Sequence, residues 1–531
     1  MVDRHADPWW HGAVGYQVYL RSFADGNGDG IGDLDGVRDR LPYLAELGVD
    51  LVWITPCYPS PGADHGYDVA DYLDVDDLFG GLDALEAVVA DAHARDMRVI
   101  LDLVPNHSSD QHPWFRRALA EPTSPERDFY VWRDPAPDGG PPNNWRSHFG
   151  GSAWTLDDAS GQYYLHLFLP EQPDLNWRNP AVRDAFADIL RTWFERGLDG
   201  FRVDVAHSLI VDEDFRSNPE PETPLDESDP RAAFDAIEHL RDLDQPDAPA
   251  LYAPLRAVAD DHDALLIGEV YLPTGDRVAR YVADGLLHQS FFFPALHTTW
   301  DADAITRALH DGVAHGRGRF SWPLSSHDDA RAASRFGGGS DGTERALAFF
   351  AFLSALPGIP FLYQGDELGL ENGEVPPAAS ADPITVRNAG APGRDGSRTP
   401  IPWAPGHAFG FTTGTPWLGL GHNRSDADTA AVQQGDDGSP LERTRHLLAT
   451  RRGLDTMLAT DEVTWLDTPP HVLALRRGDV VAAMNVGGPS TAVDLGASAT
   501  VVHTADAGGA GQVEGTTLHV PTDRTVLVRL G

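Results

Sequence analysis

The sequence predicts an α/β protein built from repeated strand–helix units and closed by an all-β C-terminal region. Three observations predict it. Short apolar runs alternate with amphipathic stretches from the N-terminus to about Arg452, the pattern of parallel βα units. Between about Asn106 and Asp174 a segment rich in Pro, Trp, Asn and Gly interrupts the alternation; it is too long for a plain loop and reads as a small inserted domain. After Arg452 the helical pattern stops, and β-branched runs separated by Gly-containing stretches take over, as in antiparallel sheets.

The candidate strands are Val14–Leu20, Leu51–Thr55, Arg98–Leu103, Gly200–Val205, Ala264–Val270, Leu286–Phe293 and Gly358–Tyr363, and Phe320–Leu324 supplies a further strand end. Leu34–Leu47 and Leu82–Arg95 carry apolar residues three and four apart, the mark of one buried helix face. Such units make either a closed barrel or an open doubly wound sheet. No GxGxxG follows the first strand, which weakens the nucleotide-binding open sheet. In the C-terminal region the runs are Val472–Arg476, Val480–Asn485, Thr516–Val520 and Thr525–Leu530, while the acidic, Pro-rich Glu213–Asp229 reads as a loop or lid. No internal repeat is present.

Composition narrows the class. A chain of 531 residues is too long for one core, so two or three domains are expected. Forty basic residues, all Arg, stand against 81 acidic ones for a net charge of −41; that repels nucleic acid and anionic lipid. Coding bias and adaptation to high salt both produce such a surface. No run is apolar enough to span a membrane. Asp3, Arg4, His5 and Asp7 occupy the place of a signal-peptide core, and a cytoplasmic protein is expected. Cys57 is alone, which excludes an internal disulfide, and it ends an apolar run as a small buried hydrophobe would.

Chemistry in βα proteins gathers where strands end. Here Asp102 leads into Asn106 and His107, Arg202 and Asp204 share one strand face, Glu269 ends another strand, and Ser325–Ser–His327–Asp328 follows a fourth. A lone Asp after a strand is usually a cap or turn former; four clusters together indicate a site. Acetal cleavage needs a carboxylate to attack the anomeric carbon and a carboxylic acid to protonate the leaving oxygen. Arg202 is placed to lower the pKa of Asp204, and Glu269 between apolar Ile267 and Val270 is placed to be held protonated by desolvation.

With these residues in view, the sequence resembles glycoside hydrolase family 13, the α-amylase family, in its oligo-1,6-glucosidase and α-glucosidase branch. Four motifs carry the resemblance: Asp102–Leu–Val–Pro–Asn–His107, Gly200–Phe–Arg–Val–Asp204, Gly268–Glu269–Val and His327–Asp328. It implies a (β/α)8 TIM barrel with a subdomain inserted after the third strand and a C-terminal antiparallel β domain. On that plan residues 1–106 and 175–455 form the barrel, 107–174 the insertion and 456–531 the β domain. The resemblance makes Asp204 the nucleophile, Glu269 the acid/base and Asp328 the transition-state carboxylate. It places Asp64, Tyr67, His107, Phe168, Arg202 and His327 around the non-reducing glucose. Ser326 departs from the Asn usual in relatives. Gln172–Pro–Asp–Leu–Asn176, Asn143–Asn–Trp–Arg–Ser–His–Phe–Gly–Gly–Ser–Ala–Trp154 and the α-glucosidase-like Gly393–Trp403 mark the branch. Arg394 is either a further sugar contact or a salt-bridging residue.

The loop Asp25–Gly–Asn27–Gly–Asp29–Gly–Ile31–Gly–Asp33 spaces oxygens at every second residue, with glycines to let it curl around a hard cation. The resemblance implies structural Ca²⁺, with Mg²⁺ as the alternative, at Asp25, Asn27, Asp29, the Ile31 carbonyl and Asp33. The expected activity is retaining and exo-acting on maltose-like disaccharides, short oligosaccharides and sucrose, by a monomer or homodimer, with no nucleic-acid or membrane partner. Val205 resembles α-1,6-active relatives and Gly393–Trp403 α-1,4-active ones; the α-1,4 reading is adopted. Transglucosylation, sucrose isomerisation, trehalose synthesis and α-1,6 cleavage pass through the same intermediate and remain alternatives. An inactive scaffold relative is the remote one, since the three carboxylates are kept.

Overall fold

A computed structural model describes residues 8–226, 228–388, 390–504 and 511–531. The charged stretch with Asp3, Arg4, His5 and Asp7 lies outside them, as does Glu227 of the acidic loop. Eight parallel strands close into a barrel: β1 (Gly15–Val18), β2 (Leu51–Ile54), β3 (Arg98–Leu103), β4 (Gly200–Val203), β5 (Leu265–Gly268), β6 (Gln289–Phe291), β7 (Phe320–Pro323) and β8 (Pro360–Tyr363), with β8 pairing back onto β1. The choice between barrel and open sheet is thereby settled. All eight strands are buried along their length except at Arg98, because helices cover the outside and side chains fill the inside.

The two-residue period of a strand divides two cores. Leu51, Trp53, Ile100, Leu265, Ile267, Phe291 and Phe361 point into the barrel, while Val52, Ile54, Val99, Leu101 and Leu266 pack outward against the helices. Helix α1 (Leu34–Leu47) shows the local logic. Asp33 caps it by accepting from the Gly36 N–H, Leu34, Val37, Leu41 and Leu44 bury one face, and Gly48 ends it at φ 100°.

After β3 the chain leaves the barrel. Helix Pro113–Ala120 and a small sheet, with Gln162–Leu165 between Trp132–Arg133 and Trp154–Asp157, form the insertion. Bridges between His107 and Asp174 and between Tyr130 and Leu175 seal its neck. The acidic stretch has no helix or strand in its described part and lies on this insertion: Asn144 and Asn218 exchange hydrogen bonds at 2.9 Å, and Trp145 Nε1 donates to the Arg216 carbonyl. The C-terminal region is a five-stranded and a three-stranded antiparallel sheet. It is tied to the barrel by Arg477 donating to the Leu356 carbonyl at 2.6 Å and by Thr525 to that of Ala348 at 2.6 Å.

Several boundaries differ from expectation. The strands stop earlier, so that Asp204, Val205 and Glu269 stand just beyond them. Four C-terminal strands, Thr464–Trp465, Thr491–Asp494, Ala499–Thr504 and Gln512–Glu514, were not expected; they are short or half exposed and lack an apolar run. No helix of the described residues is long and apolar enough to cross a membrane.

Candidate active site

The early strand ends put the polar groups where backbone direction is free to change. Arg202, on β4, lies almost wholly out of solvent and receives three carboxylates. Its Nη1 binds Asp102 and, at 2.5 Å, Asp204; its Nη2 binds Glu269 at 2.8 Å. Asp102 is also held by Trp53 Nε1 at 2.8 Å. Val205 has a φ of 43°, a costly conformation for a β-branched residue and one that clusters at functional sites. Its N–H donates to Glu269 Oε2 at 2.9 Å. Gly268 leaves room for this packing, since a Cβ there would meet Leu287 at 2.5 Å.

One guanidinium among three carboxyls, those of Asp102 and Asp204 buried, leaves an excess of negative charge in the cluster. Burial, with the Glu269 and Asp102 carboxylates, pushes the Asp204 carboxyl well up against the pull of Arg202. The expected lowering by Arg202 is therefore present but outweighed. Burial likewise raises Asp102 to about 6. Glu269 also departs from expectation. Ile267 belongs to the barrel interior and Val270 to the outer core, and the Glu269 carboxylate is ion-paired instead of lying between them. It is the most exposed of the three, at 12%, against 7% for Asp204 and none for Asp102.

Asp328 forms a second cluster. Arg398 Nη2 reaches it at 2.7 Å, Arg394 Nη1 at 3.1 Å and His327 Nε2 at 3.2 Å. Burial works against its charge, but His327, Arg394 and Arg398 together hold it well below the usual carboxylate range. Arg394 continues to Asp64 at 2.8 Å and to Asp382 at 2.8 Å. Both readings of Arg394 thus have a basis, because it bridges carboxylates and also lines the cavity. Tyr67 donates or accepts at His327 Nε2 at 2.8 Å and stacks on that ring. His107, which burial brings down to about 4 and so keeps neutral, lies 5.0 Å from the Phe168 ring.

These groups converge on a cavity of about 930 Å³ that opens at the C-terminal ends of the strands. Asp64, Tyr67, His107, Phe168, Asp204, Glu269, Asp328 and Arg394 line it; Arg202 and His327 stand directly behind that wall. Ser326 accepts from the Asp328 N–H at 3.2 Å and donates to Asp329 at 2.9 Å, so its hydroxyl makes local bonds of its own. Sequence reasoning missed the outer wall. Arg231 binds the Asp328 carbonyl, Tyr271 and Asp329 at 2.8 to 3.0 Å, and the acid Asp329, directly after His327–Asp328, was the available signal.

The Asp25–Asp33 loop follows β1 and is wound by its own side chains. Asp25 Oδ1 accepts from Gly28 N–H at 2.6 Å, Asn27 from Asp29 at 2.8 Å and Asp29 from Ile31 at 2.8 Å. Asp33 accepts from Gly26, Asn27 and Gly36. At Gly30, φ is 99° and a Cβ would strike the Thr415 carbonyl. The donors are all oxygens and suit a hard cation, although among the described residues no three His, Cys, Asp or Glu side chains converge as a metal-holding group.

A family model described as the alpha-amylase catalytic domain matches residues 17–460. The chain is 39% identical over 487 residues to a protein of Rhizobium meliloti (strain 1021) named probable alpha-glucosidase, covering 88% of this chain and 87% of that one. It is 37% identical over 474 residues to an oligo-1,6-glucosidase of Heyndrickxia coagulans, covering 81% and 82%. The crystal structure of an alpha-glucosyl transfer enzyme, XgtA, matches with a TM-score of 0.91 at 36% identity, covering 99% of this chain and 100% of that one.

Proposed function

The chain belongs to the alpha-amylase family and is a glycoside hydrolase, and from that premise we propose a retaining, exo-acting α-glucosidase that releases glucose from the non-reducing end of short α-glucosides, α-1,4-linked ones in preference. The observation that carries this reading is the Asp64–Arg394 ion pair at 2.8 Å in the wall of the cavity. A polymer running through would set the Asp64 carboxylate against an ether oxygen, which has no proton to give. A chain end offers hydroxyls that add a hydrogen bond to this charged group, worth about 1.5–3 kcal/mol.

The roles follow from where each carboxyl stands. Asp204 attacks the anomeric carbon, and Glu269, the most exposed of the three carboxyls, protonates the departing oxygen. Glu269 then takes a proton from the water or sugar that resolves the glucosyl-enzyme. One guanidinium gripping both carboxyls favours the roughly 5–5.5 Å spacing of retaining enzymes over the wider spacing that admits a water. Asp328, kept ionised by Arg394 and Arg398, accepts from the sugar hydroxyls as charge develops on the ring.

Transfer to a sugar acceptor is the second reading. The cavity lies near the upper end of the about 300–1,000 Å³ range of ligand pockets, and the alpha-glucosyl transfer enzyme covers the full chain. Ca²⁺ or Mg²⁺ at Asp25, Asn27, Asp29, the Ile31 carbonyl and Asp33 would brace the loop after β1 and supply no acid/base step. Chromatography of products from maltose, isomaltose, sucrose, trehalose and soluble starch tests the reading. Glucose should appear first, and fastest from maltose. Rapid loss of starch viscosity with long oligosaccharides preceding glucose would overturn it.

A further inference from the structure

His148 stands in the Asn143–Trp154 stretch of the insertion and has no part in the chemistry described so far. Its ring is the centre of a stack: Phe168 lies parallel at 4.6 Å on one side and Phe234 at 3.7 Å on the other. Phe168 touches His107 at the inner end, and Phe234 is stacked by His239 at 4.0 Å at the outer end. The order of rings therefore runs from the glucose wall outward, and His148 is the first ring beyond Phe168. Stacking alone holds it. Nε2 is shut off from solvent without a hydrogen-bond partner, although His148 lines the cavity. A buried polar atom of this kind needs an explanation, and a phenyl ring would stack equally well without incurring the cost. Burial, with His239, His207, Arg231 and His107 adding to it, holds the ring well below the ordinary imidazole pKa. The neutral ring carries one N–H and one lone pair, and Nδ1, which is not shut off as Nε2 is, is the nitrogen that a sugar hydroxyl in the cavity can reach.

We propose that His148 is a specificity-determining residue that hydrogen-bonds a hydroxyl of the leaving or accepting sugar, next to the glucose that Phe168 walls. This inference rests on the α-glucoside reading of the cavity. The test compares the full-length enzyme with His148→Phe, which keeps the stack and removes the nitrogens, on maltose and on p-nitrophenyl α-glucoside, whose leaving group has no hydroxyl to bond. His148→Phe should lose about tenfold in kcat/KM on maltose, mainly through KM, and stay within about twofold on the aryl glucoside. His148→Gln, which restores a donor and an acceptor, should recover part of the maltose loss, and it serves alone if the Phe variant does not fold. Equal losses on both substrates from His148→Phe, or no loss on either, would overturn the proposal, as would a folded His148→Gln with no preference for maltose over what His148→Phe retains. If the parent enzyme cleaved neither substrate, the α-glucosidase reading itself would fail, a result distinct from these.

Discussion

Arg394 and Asp64, 330 residues apart in the chain, meet in an ion pair at 2.8 Å in the wall of the cavity. The other nitrogens of Arg394 hold Asp328 and Asp382, so the Asp64 pair and the Asp328 cluster are one connected unit.

Asp64→Ala is therefore expected to lower kcat/KM on maltose by about 10- to 100-fold, the equivalent of about 1–3 kcal/mol for a lost buried charged hydrogen bond. A surface control, Asp188→Ala at an exposed i,i+3 pair, should change it by less than about twofold. Steady-state kinetics on both variants decides; similar values for the two would remove Asp64 from the site.

Glu269→Gln should lower kcat on maltose by about 10²–10⁴-fold, the usual worth of a general acid, and by less on an aryl glucoside whose leaving group needs little protonation. Asp204→Ala should abolish turnover on both, because no covalent intermediate can form. Near-normal maltose turnover by a folded sample of either variant would refute the assignment.

How much of this was legible in the sequence depends on the range of the interaction. Asp204, Glu269 and Asp328 were readable because each follows a strand pattern that local propensity creates. The convergence of Asp102, Asp204 and Glu269 on Arg202 was not, because barrel closure creates it, and the burial that closure imposes on Asp204 outweighs the lowering by Arg202 that the strand spacing alone suggests. The same holds for the His148–Phe234 stack, whose two rings come from the insertion and from the short helix Pro230–Asp235. The half-exposed strands of the C-terminal region lacked the apolar run by which a strand is recognised.

Away from the cavity, His112 Nδ1 accepts the Trp114 N–H at 3.1 Å and caps the helix Pro113–Ala120. That bond requires the neutral ring, and burial lowers its pKa to about 4. The unfolded ring binds a proton below about 6.5. Between about pH 6.5 and 4 the unfolded state thus holds more protons, and stability falls as pH falls. His112→Asn keeps a capping acceptor that does not titrate. The parent should lose on the order of 3 kcal/mol more than this variant across that window. Denaturant midpoints that run parallel with pH would contradict it.

Chelation should lower the Tm by several degrees while initial activity changes little, since a cation bound only by the folded state stabilises it by about 2.7 kcal/mol at 100 times its Kd. Calorimetry with and without chelator, beside elemental analysis, tests this. An unchanged Tm with no bound metal would rule against the Asp25–Asp33 loop as a cation site.

Proton NMR of the first glucose released from p-nitrophenyl α-glucoside, whose leaving group is not itself a glucose, recorded before mutarotation, bears most directly on the pairing of Asp204 with Glu269. Double displacement through a glucosyl-Asp204 intermediate requires α-glucose as the first anomer. If β-glucose appears first, water attacks directly and Asp204 is not the nucleophile.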